Sequence, residues 1–293
     1  GVKPGDDSMG PDDYELLDSG DQKKLERFGS IVLSRPCAQA VWRPELEESV
    51  WSAADATFDR EEGNRWQGQN RLPKEWTVRI EGIQFKLSGT DFGHLGVFPE
   101  QRAQWRWIGE RIGTAGSRPS PLRILNLFAY SGGSTLAALR GGAEVCHLDA
   151  SHGMVDWARE NAALNGWQER PVRWIVDDAI KFLAREERRG KRYDAIILDP
   201  PSFGRGKSGE LFKIERDLPG MMDACERLLS DDPAFILLSA HTPGFSPMVL
   251  ENLLRQRFAN RSGRVESGEM QLTGSTTVLP LPNGAYARWM SGA

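Results

Sequence analysis

Four stretches of this chain place acids or glycines directly after an apolar run. The most pointed is Asp199-Pro200-Pro201-Ser202-Phe203, which follows Ala195-Ile196-Ile197-Leu198. Two successive prolines remove two backbone donors and restrict φ, so the loop is stiff and projects the Asp199 carboxylate and nearby carbonyls outward. Such acceptors can hold an N–H group of a substrate, and Phe203 offers a π-face to a flat ring. Upstream, Asn126-Leu127-Phe128-Ala129-Tyr130-Ser131-Gly132-Gly133 closes another apolar run. Its glycines permit backbone shapes and close ligand approach that a side chain would block. The spacing is not G-x-G-x-x-G, the pattern a pyrophosphate demands at a helix N-terminus. Asp149, followed by Ala150 and Ser151, ends a third run. An acid there can accept hydrogen bonds from ribose hydroxyls, or it can cap the helix that begins near Ser151. Asp177-Asp178-Ala179 follows a fourth run. One acid of this pair can reach an adenine amino group, while Asp178 can equally cap the next helix.

The elements that must position these residues alternate in type. Strands are predicted at Ile124–Phe128, Ala143–Leu148, Val172–Val176, Ala195–Leu198 and Ala234–Leu238. Helices are predicted between and after them, at Ser134–Arg140, His152–Asn165, Ile180–Arg189, Asp217–Leu229 and Pro247–Asn260. Alternation of this kind implies an α/β fold with a doubly wound, mostly parallel sheet that binds its ligand at the strand C-termini. Arg264–Gln271, Thr276–Leu281 and Tyr286–Met290 read as antiparallel strands. The helix at Met154–Ala162 is expected to pack on the sheet with Asn161 at the surface.

Ahead of this domain, residues 14–118 read as a smaller β-rich domain with short strands broken by turns, including a hairpin at Glu81-Gly82 between Thr77–Ile80 and Gln84–Leu87. Trp105, Ile108 and Ile112 stand at helical spacing in residues 100–113. Residues 1–13 read as a tail, Asp59 to Pro73 as a polar mobile loop, and residues 119–293 as the catalytic domain. Six of the ten tryptophans, Trp42, Trp51, Trp66, Trp76, Trp105 and Trp107, precede that domain. They suit packing of a small β-rich lobe, with a base-stacking platform as the alternative.

Composition narrows the function classes. A charged share of 27% and a net charge of −4 fit a water-soluble globular protein and argue against a surface coated for nucleic acid, though not against a local basic patch. No apolar run approaches the roughly 20 residues of a membrane span. Gly1 to Asp13 lacks the apolar core of a signal peptide. Cys37, Cys146 and Cys225 are widely spaced and odd in number, which fits a reducing cytoplasm rather than a disulfide framework. With four histidines and no ligand-like spacing, no metal site is expected.

The order of strand-end glycines, acid, acid and Asp-Pro-Pro resembles that of class I methyltransferases. More closely, Asn126–Gly133, Leu148-Asp149-Ala150-Ser151 and Asp199–Phe203 resemble the S-adenosylmethionine-dependent methyltransferases related to the bacterial 23S ribosomal RNA large-subunit enzymes. Gly93-His94-Leu95-Gly96-Val97-Phe98-Pro99-Glu100-Gln101-Arg102 is similar to the segment that precedes their catalytic domain, and the likeness runs from about Trp76 to Trp289. It implies a seven-stranded, Rossmann-like sheet, S-adenosyl-L-methionine as cofactor and no metal. It implies cofactor contacts from Asn126, Phe128 to Gly133, Asp149 to Ser151 and Asp177 to Ala179. Gln101 and Arg102 would add contacts near the cofactor mouth, or else serve as a helix cap and a surface salt bridge. Asp199, Pro200, Pro201 and Phe203 would form the catalytic loop.

The chain departs from the relatives that make 5-methylcytosine. These carry a nucleophilic cysteine where this chain has Ala240, within Ser239-Ala240-His241, and only a thiolate can attack C6 and activate C5. Cys146 and Cys225 read as core residues. His241 could accept a proton, orient another group or be an ordinary loop histidine. The family's usual N-terminal RNA-binding module is not recognisable. Arg205, Lys207, Lys213 and Arg216, with Arg102, Arg106, Arg255 and Arg257, could track a phosphate backbone or form a solvated charged surface. The expected activity is methylation of a base nitrogen of ribosomal RNA. A small-molecule or protein methyltransferase, or a non-catalytic cofactor-binding RNA partner, stand as alternatives.

Overall fold

The computed structural model describes residues 12–59, 65–90, 93–115, 118–206 and 209–292. In chain order these form β1 (Tyr14–Gly20), β2 (Lys23–Phe28), β3 (Ile31–Pro36), α1 (Glu48–Ser52), β4 (Ala56–Asp59), β5 (Arg65–Gln67), β6 (Trp76–Ile80) and β7 (Ile83–Leu87). Then follow α2 (Arg102–Thr114), β8 (Arg123–Leu127), α3 (Gly133–Arg140), β9 (Glu144–Asp149), α4 (His152–Leu164), β10 (Val172–Val176) and α5 (Ala179–Arg188). The chain closes with β11 (Ala195–Leu198), β12 (Phe203–Arg205), β13 (Leu211–Lys213), α6 (Ile214–Leu228), β14 (Phe235–Ala240), α7 (Pro247–Phe258), β15 (Gly263–Leu272) and β16 (Leu281–Ser291).

Two compact units divide the chain. The larger holds Ala103–Met270 and the residues from Gly284 on; the smaller holds the residues up to Arg102 together with Gln271–Asn283. The division falls near Arg102 rather than at residue 118, because Trp105 and Trp107 of α2 belong with the larger unit. Gly133 leaves room for the Trp105 indole, and the Trp107 ring meets Phe235 edge-on at 4.9 Å.

In the larger unit seven strands run in the order β10-β9-β8-β11-β14-β16-β15. Pairing is parallel from β10 through β14, and β16 enters antiparallel to β14. This is the doubly wound, mostly parallel sheet expected from the alternation, with the seven strands that the resemblance implies. The central strands Ile124–Leu127, Ala195–Leu198 and Phe235–Ala240 are buried throughout, as strands covered on both faces must be. The chain enters the sheet at β8, winds out to β10, then returns to β11 on the other side of β8. A crevice therefore opens beyond the carboxyl ends of β8 and β11, where open α/β sheets take their ligands.

The tail forms two antiparallel strands rather than three. Thr276 to Leu279 turn back instead, with the Val278 N–H bonded to the Ser275 carbonyl, and the second strand starts at Leu281 beyond Pro280. In the smaller unit, β1 to β5 form one sheet in sequence order and β6–β7 a separate hairpin. Glu81 and Gly82 both take positive φ at the hairpin turn, as a two-residue reversal matching strand twist requires. The segment read as a mobile loop contains β5, which pairs with β4; residues 60–64 of that segment lie outside the described residues. So do residues 1–11 of the tail, whereas Asp12 and Asp13 bond to Arg102 and to the backbone of Arg79. The indole N–H groups of Trp42, Trp51, Trp66 and Trp76 each donate to a protein oxygen, so these rings pack the lobe.

Candidate active site

The site grows from the carboxyl ends of neighbouring strands. After β8, Phe128 and Tyr130 both adopt left-handed φ, at 56° and 52°. Non-glycine residues take this conformation only when their surroundings hold it, and such positions cluster at ligand-binding turns. Three hydrogen bonds hold it here. The Ala129 N–H donates to the Leu148 carbonyl at 3.0 Å, the Tyr130 N–H to Asp149 Oδ2 at 3.0 Å, and the Gly132 N–H to the Ala129 carbonyl at 3.0 Å.

The two glycines act for different reasons. Gly132 has φ +92°, and a Cβ there would press on Ala158 at 3.1 Å. A Cβ at Gly133 would lie 2.5 Å from the Trp105 ring. Both glycines therefore also serve packing within the protein.

Asp149 uses both carboxylate oxygens on backbone donors, with the Ser151 N–H reaching Oδ1 at 2.9 Å and Tyr130 holding Oδ2. Burial raises its pKa, and those two N–H bonds oppose the shift. Asp149 does not cap α4; the Ser151 hydroxyl does, accepting from Met154 N–H. The Asp177-Asp178 pair is likewise divided. Asp178 caps α5 by accepting from Lys181 N–H at 2.9 Å, while Asp177 directly follows β10 and pairs with Arg185 at 2.8 Å.

A buried polar chain lies beneath the β8 loop. Asn126 Nδ2 donates to Thr135 Oγ1 at 2.9 Å, and Thr135 Oγ1 meets His147 Nδ1 at 2.8 Å. The imidazole is fully buried against Trp174, and burial pushes its pKa down to about 3. His147 Nε2 has no partner in the structure. Asn161 also belongs to this underside. It is fully buried and donates to the Ser131 carbonyl at 3.0 Å, so its surface placement from helical periodicity is overturned. Sequence reasoning missed Thr135, His147 and Asn161 as supports. The visible signal was a histidine inside an otherwise apolar strand.

On the other side of the crevice, Asp199 leaves β11. Its Oδ1 accepts from the Ser239 hydroxyl at 2.9 Å and stands 3.6 Å from His241 Nδ1. Both contacts use the same oxygen. Pro200 is buried, Pro201 is exposed, and Phe203 is 51% exposed. Ser202 Oγ bonds Thr242 Oγ1 at 2.7 Å, tying the loop to the segment after β14. Residues 203–205, read as loop, form β12 in a two-stranded ribbon with β13. Within that ribbon Phe212 packs on Phe128 with ring centres 5.2 Å apart.

Gln101 and Arg102 lie in the other unit. The Arg102 guanidinium binds Asp12 at 2.8 Å and the Thr273 carbonyl at 3.1 Å, and also contacts the Thr273 hydroxyl. Gln101 is buried in the short turn ahead of α2. Ala240 ends β14 and is buried. All three cysteines are free and buried, with burial pushing the Cys146 thiol up to about 11 and the Cys225 thiol up to about 12. Among the described residues no cluster of His, Cys, Asp and Glu could hold a metal, and no helix is long and apolar enough to cross a membrane.

Carboxylates at the carboxyl ends of β9, β10 and β11, Asp149, Asp177 and Asp199, flank the strained turn that follows β8, which lies between β9 and β11. They form an acceptor set suited to a cationic ligand with hydroxyl and amino groups. Comparison with known proteins agrees. The chain is similar to the structure of a SAM-dependent methyltransferase from Agrobacterium tumefaciens, at 40% identity and a TM-score of 0.90, covering 97% of this chain and 92% of that one. It is 27% identical to the ribosomal RNA large subunit methyltransferase K of Neisseria meningitidis over 82% of this chain and 68% of the relative. It is 31% identical to the methyltransferase K/L of a Shewanella species over 70% of this chain, but spans only 27% of that longer protein. Residues 56–252 match the S-adenosylmethionine-dependent methyltransferase model, and the chain belongs to that family.

Proposed function

We propose that this chain methylates a base nitrogen of ribosomal RNA in the cytoplasm. The observation that carries this reading is the Asp199-Pro200-Pro201 loop. Its carboxylate accepts from the Ser239 hydroxyl through one oxygen, with His241 Nδ1 3.6 Å from the same oxygen, and an exposed aromatic follows four residues on. The names of the relatives support RNA as the substrate class.

The residues present fit the cofactor. In this reading the turn from Phe128 to Gly133, underpinned by Asn126, would hold its amino-acid end, and Asp149, with Ala150 and Ser151, its ribose. Asp177, next to Asp178 and Ala179, would bind its adenine. When bound, S-adenosylmethionine supplies a methyl group activated by a sulfonium. The remaining work falls to the chain. Asp199 Oδ2, the carboxylate oxygen not bonded by Ser239, accepts an N–H of the target base and turns the nitrogen lone pair toward the methyl group. It takes that proton as the nitrogen gains its methyl and the thioether leaves with the sulfur–carbon electron pair. Pro200 and Pro201 keep that acceptor in place, so positioning rather than covalent chemistry supplies the rate. Phe203 stacks on the base. A covalent adduct, as C5 methylation needs, is disfavoured because Ala240 carries no thiol and the three cysteines are buried and held protonated.

The test is a pair of variants. Asp199→Ala should abolish transfer to RNA while calorimetry still detects cofactor binding. Asp149→Ala should weaken cofactor affinity by about tenfold or more, since it also releases two backbone donors that shape the turn. Transfer retained by Asp199→Ala would refute the loop assignment.

A further inference from the structure

The basic residues singled out along the chain are not equivalent once folded. Arg216 is bound by Asp217 and the Leu211 carbonyl. Arg255 pairs with Glu251, Arg257 with Asp223 and Arg102 with Asp12. Lys207 lies outside the described residues. Arg205 and Lys213 differ: both are exposed, and neither side chain pairs with an acid among the described residues.

These two cations share one face of the β12–β13 ribbon. The register pairs Phe203 with Lys213, Gly204 with Phe212 and Arg205 with Leu211. Because side chains alternate, Phe203, Arg205, Leu211 and Lys213 lie on one face, and all four are exposed. The other face presents Phe212, which is buried against Phe128 in the β8 turn. The ribbon is pinned at both ends. The Ile214 N–H donates to the Ser202 carbonyl at 3.2 Å, and Glu210 forms an ion pair with Lys181 of α5. The outcome is a fixed strip carrying one aromatic ring, one aliphatic side chain and two open cations, starting two residues beyond Pro201.

We propose that this ribbon face binds the single-stranded segment of RNA that carries the target nucleotide, with Arg205 and Lys213 on its backbone phosphates and Phe203 against the target base. The proposal rests on the RNA reading above and assigns its contact surface. Stacking rings interleaved with cations are what sequence-tolerant binding of single strands requires, and a two-stranded ribbon presents both at the spacing of one strand face. The mild net negative charge of the chain makes a local cationic strip, rather than the whole surface, the source of attraction.

The experiment is anisotropy titration of the whole protein with a short fluorescein-labelled oligouridylate over a series of salt concentrations. Removing two phosphate contacts by Arg205→Gln with Lys213→Gln should lower the slope of log affinity against log salt by about 1.4, as each phosphate contact on a single strand contributes about 0.7. Affinity near physiological salt should fall about tenfold. Phe203→Ala should weaken binding by about tenfold with the slope unchanged, because stacking releases no counterions. Arg255→Gln should leave both unchanged, and calorimetry with S-adenosylmethionine should show each variant still folded around its cofactor. Binding by the wild type with a salt slope unaltered in the double variant would overturn the ribbon assignment alone. A wild type that does not bind the oligonucleotide would overturn the RNA reading with it.

Discussion

His147 makes the stability of the larger unit depend on acid in a way that can be calculated. Its imidazole is fully buried, and burial lowers its pKa to about 3 from the ordinary 6.5. In the unfolded chain the ring regains the ordinary value. A lowered folded value means that, below 6.5, the unfolded state binds a proton that the folded state refuses. The contribution is fully present above 6.5 and is lost as pH falls from there towards 3. The slope is about 1.4 kcal/mol per pH unit, so acidification to about pH 5 should remove about 2 kcal/mol. That is a large part of the net stability of a typical domain. The loss bears on function, because His147 bonds Thr135 and through it Asn126, directly under the turn that begins at Phe128. The assay is urea unfolding of wild type and His147→Gln at about pH 7.5 and about pH 5, followed by fluorescence and circular dichroism. The variant should be less stable at the higher pH, having lost the ring contact with Trp174, yet should lose about 2 kcal/mol less than wild type on acidification. Equal losses in the two proteins would refute the reasoning, since every other titrating group is common to both.

Other consequences are as direct. Gly133→Ala puts a Cβ 2.5 Å from the Trp105 ring and should destabilise by about 1–3 kcal/mol, seen as a lower Tm. Gly220→Ala, at an exposed position of α6 where a Cβ would meet nothing within 4 Å, should stabilise by about 0.5–1 kcal/mol in the same assay. In the smaller unit Glu26 is fully buried, bonded by Arg35 at 2.7 Å and by the Tyr14 hydroxyl at 2.8 Å. Arg35→Met leaves that carboxylate without its main partner and should cost about 3–5 kcal/mol in thermal unfolding. The three thiols should resist iodoacetamide in the native protein and react in urea; an adduct on native Cys225, read by mass spectrometry, would contradict its burial.

The sheet was legible in the sequence because its strands are short continuous apolar runs, each followed by a helix-spaced stretch, and that alternation admits few topologies. The loops at Asn126–Gly133 and Asp199–Phe203 were legible because glycine and proline restrict the backbone locally, whatever surrounds them. What surrounds them was not legible. Asp149 and Asp178 each had two local roles available. Choosing between them depended on Ser151 taking the α4 cap, and on Asp177, not Asp178, meeting Arg185. Asn161 read as a surface residue because periodicity gives a helical face, not the neighbour that the face meets; its partner, Ser131, comes from another element. The β12–β13 ribbon escaped notice because three-residue strands carry too little pattern to stand apart from a loop.

Composition and spacing alone thus determined the α/β class, the order of the site loops and the absence of a thiol at Ala240. Each of these is local in the chain. Only the tertiary structure decided which acids are caps and which stand at strand ends, which cations are spent in ion pairs and which are open, and why Gly133 is a glycine. Each of those answers is a contact between residues distant in sequence, set by packing rather than by neighbours along the chain.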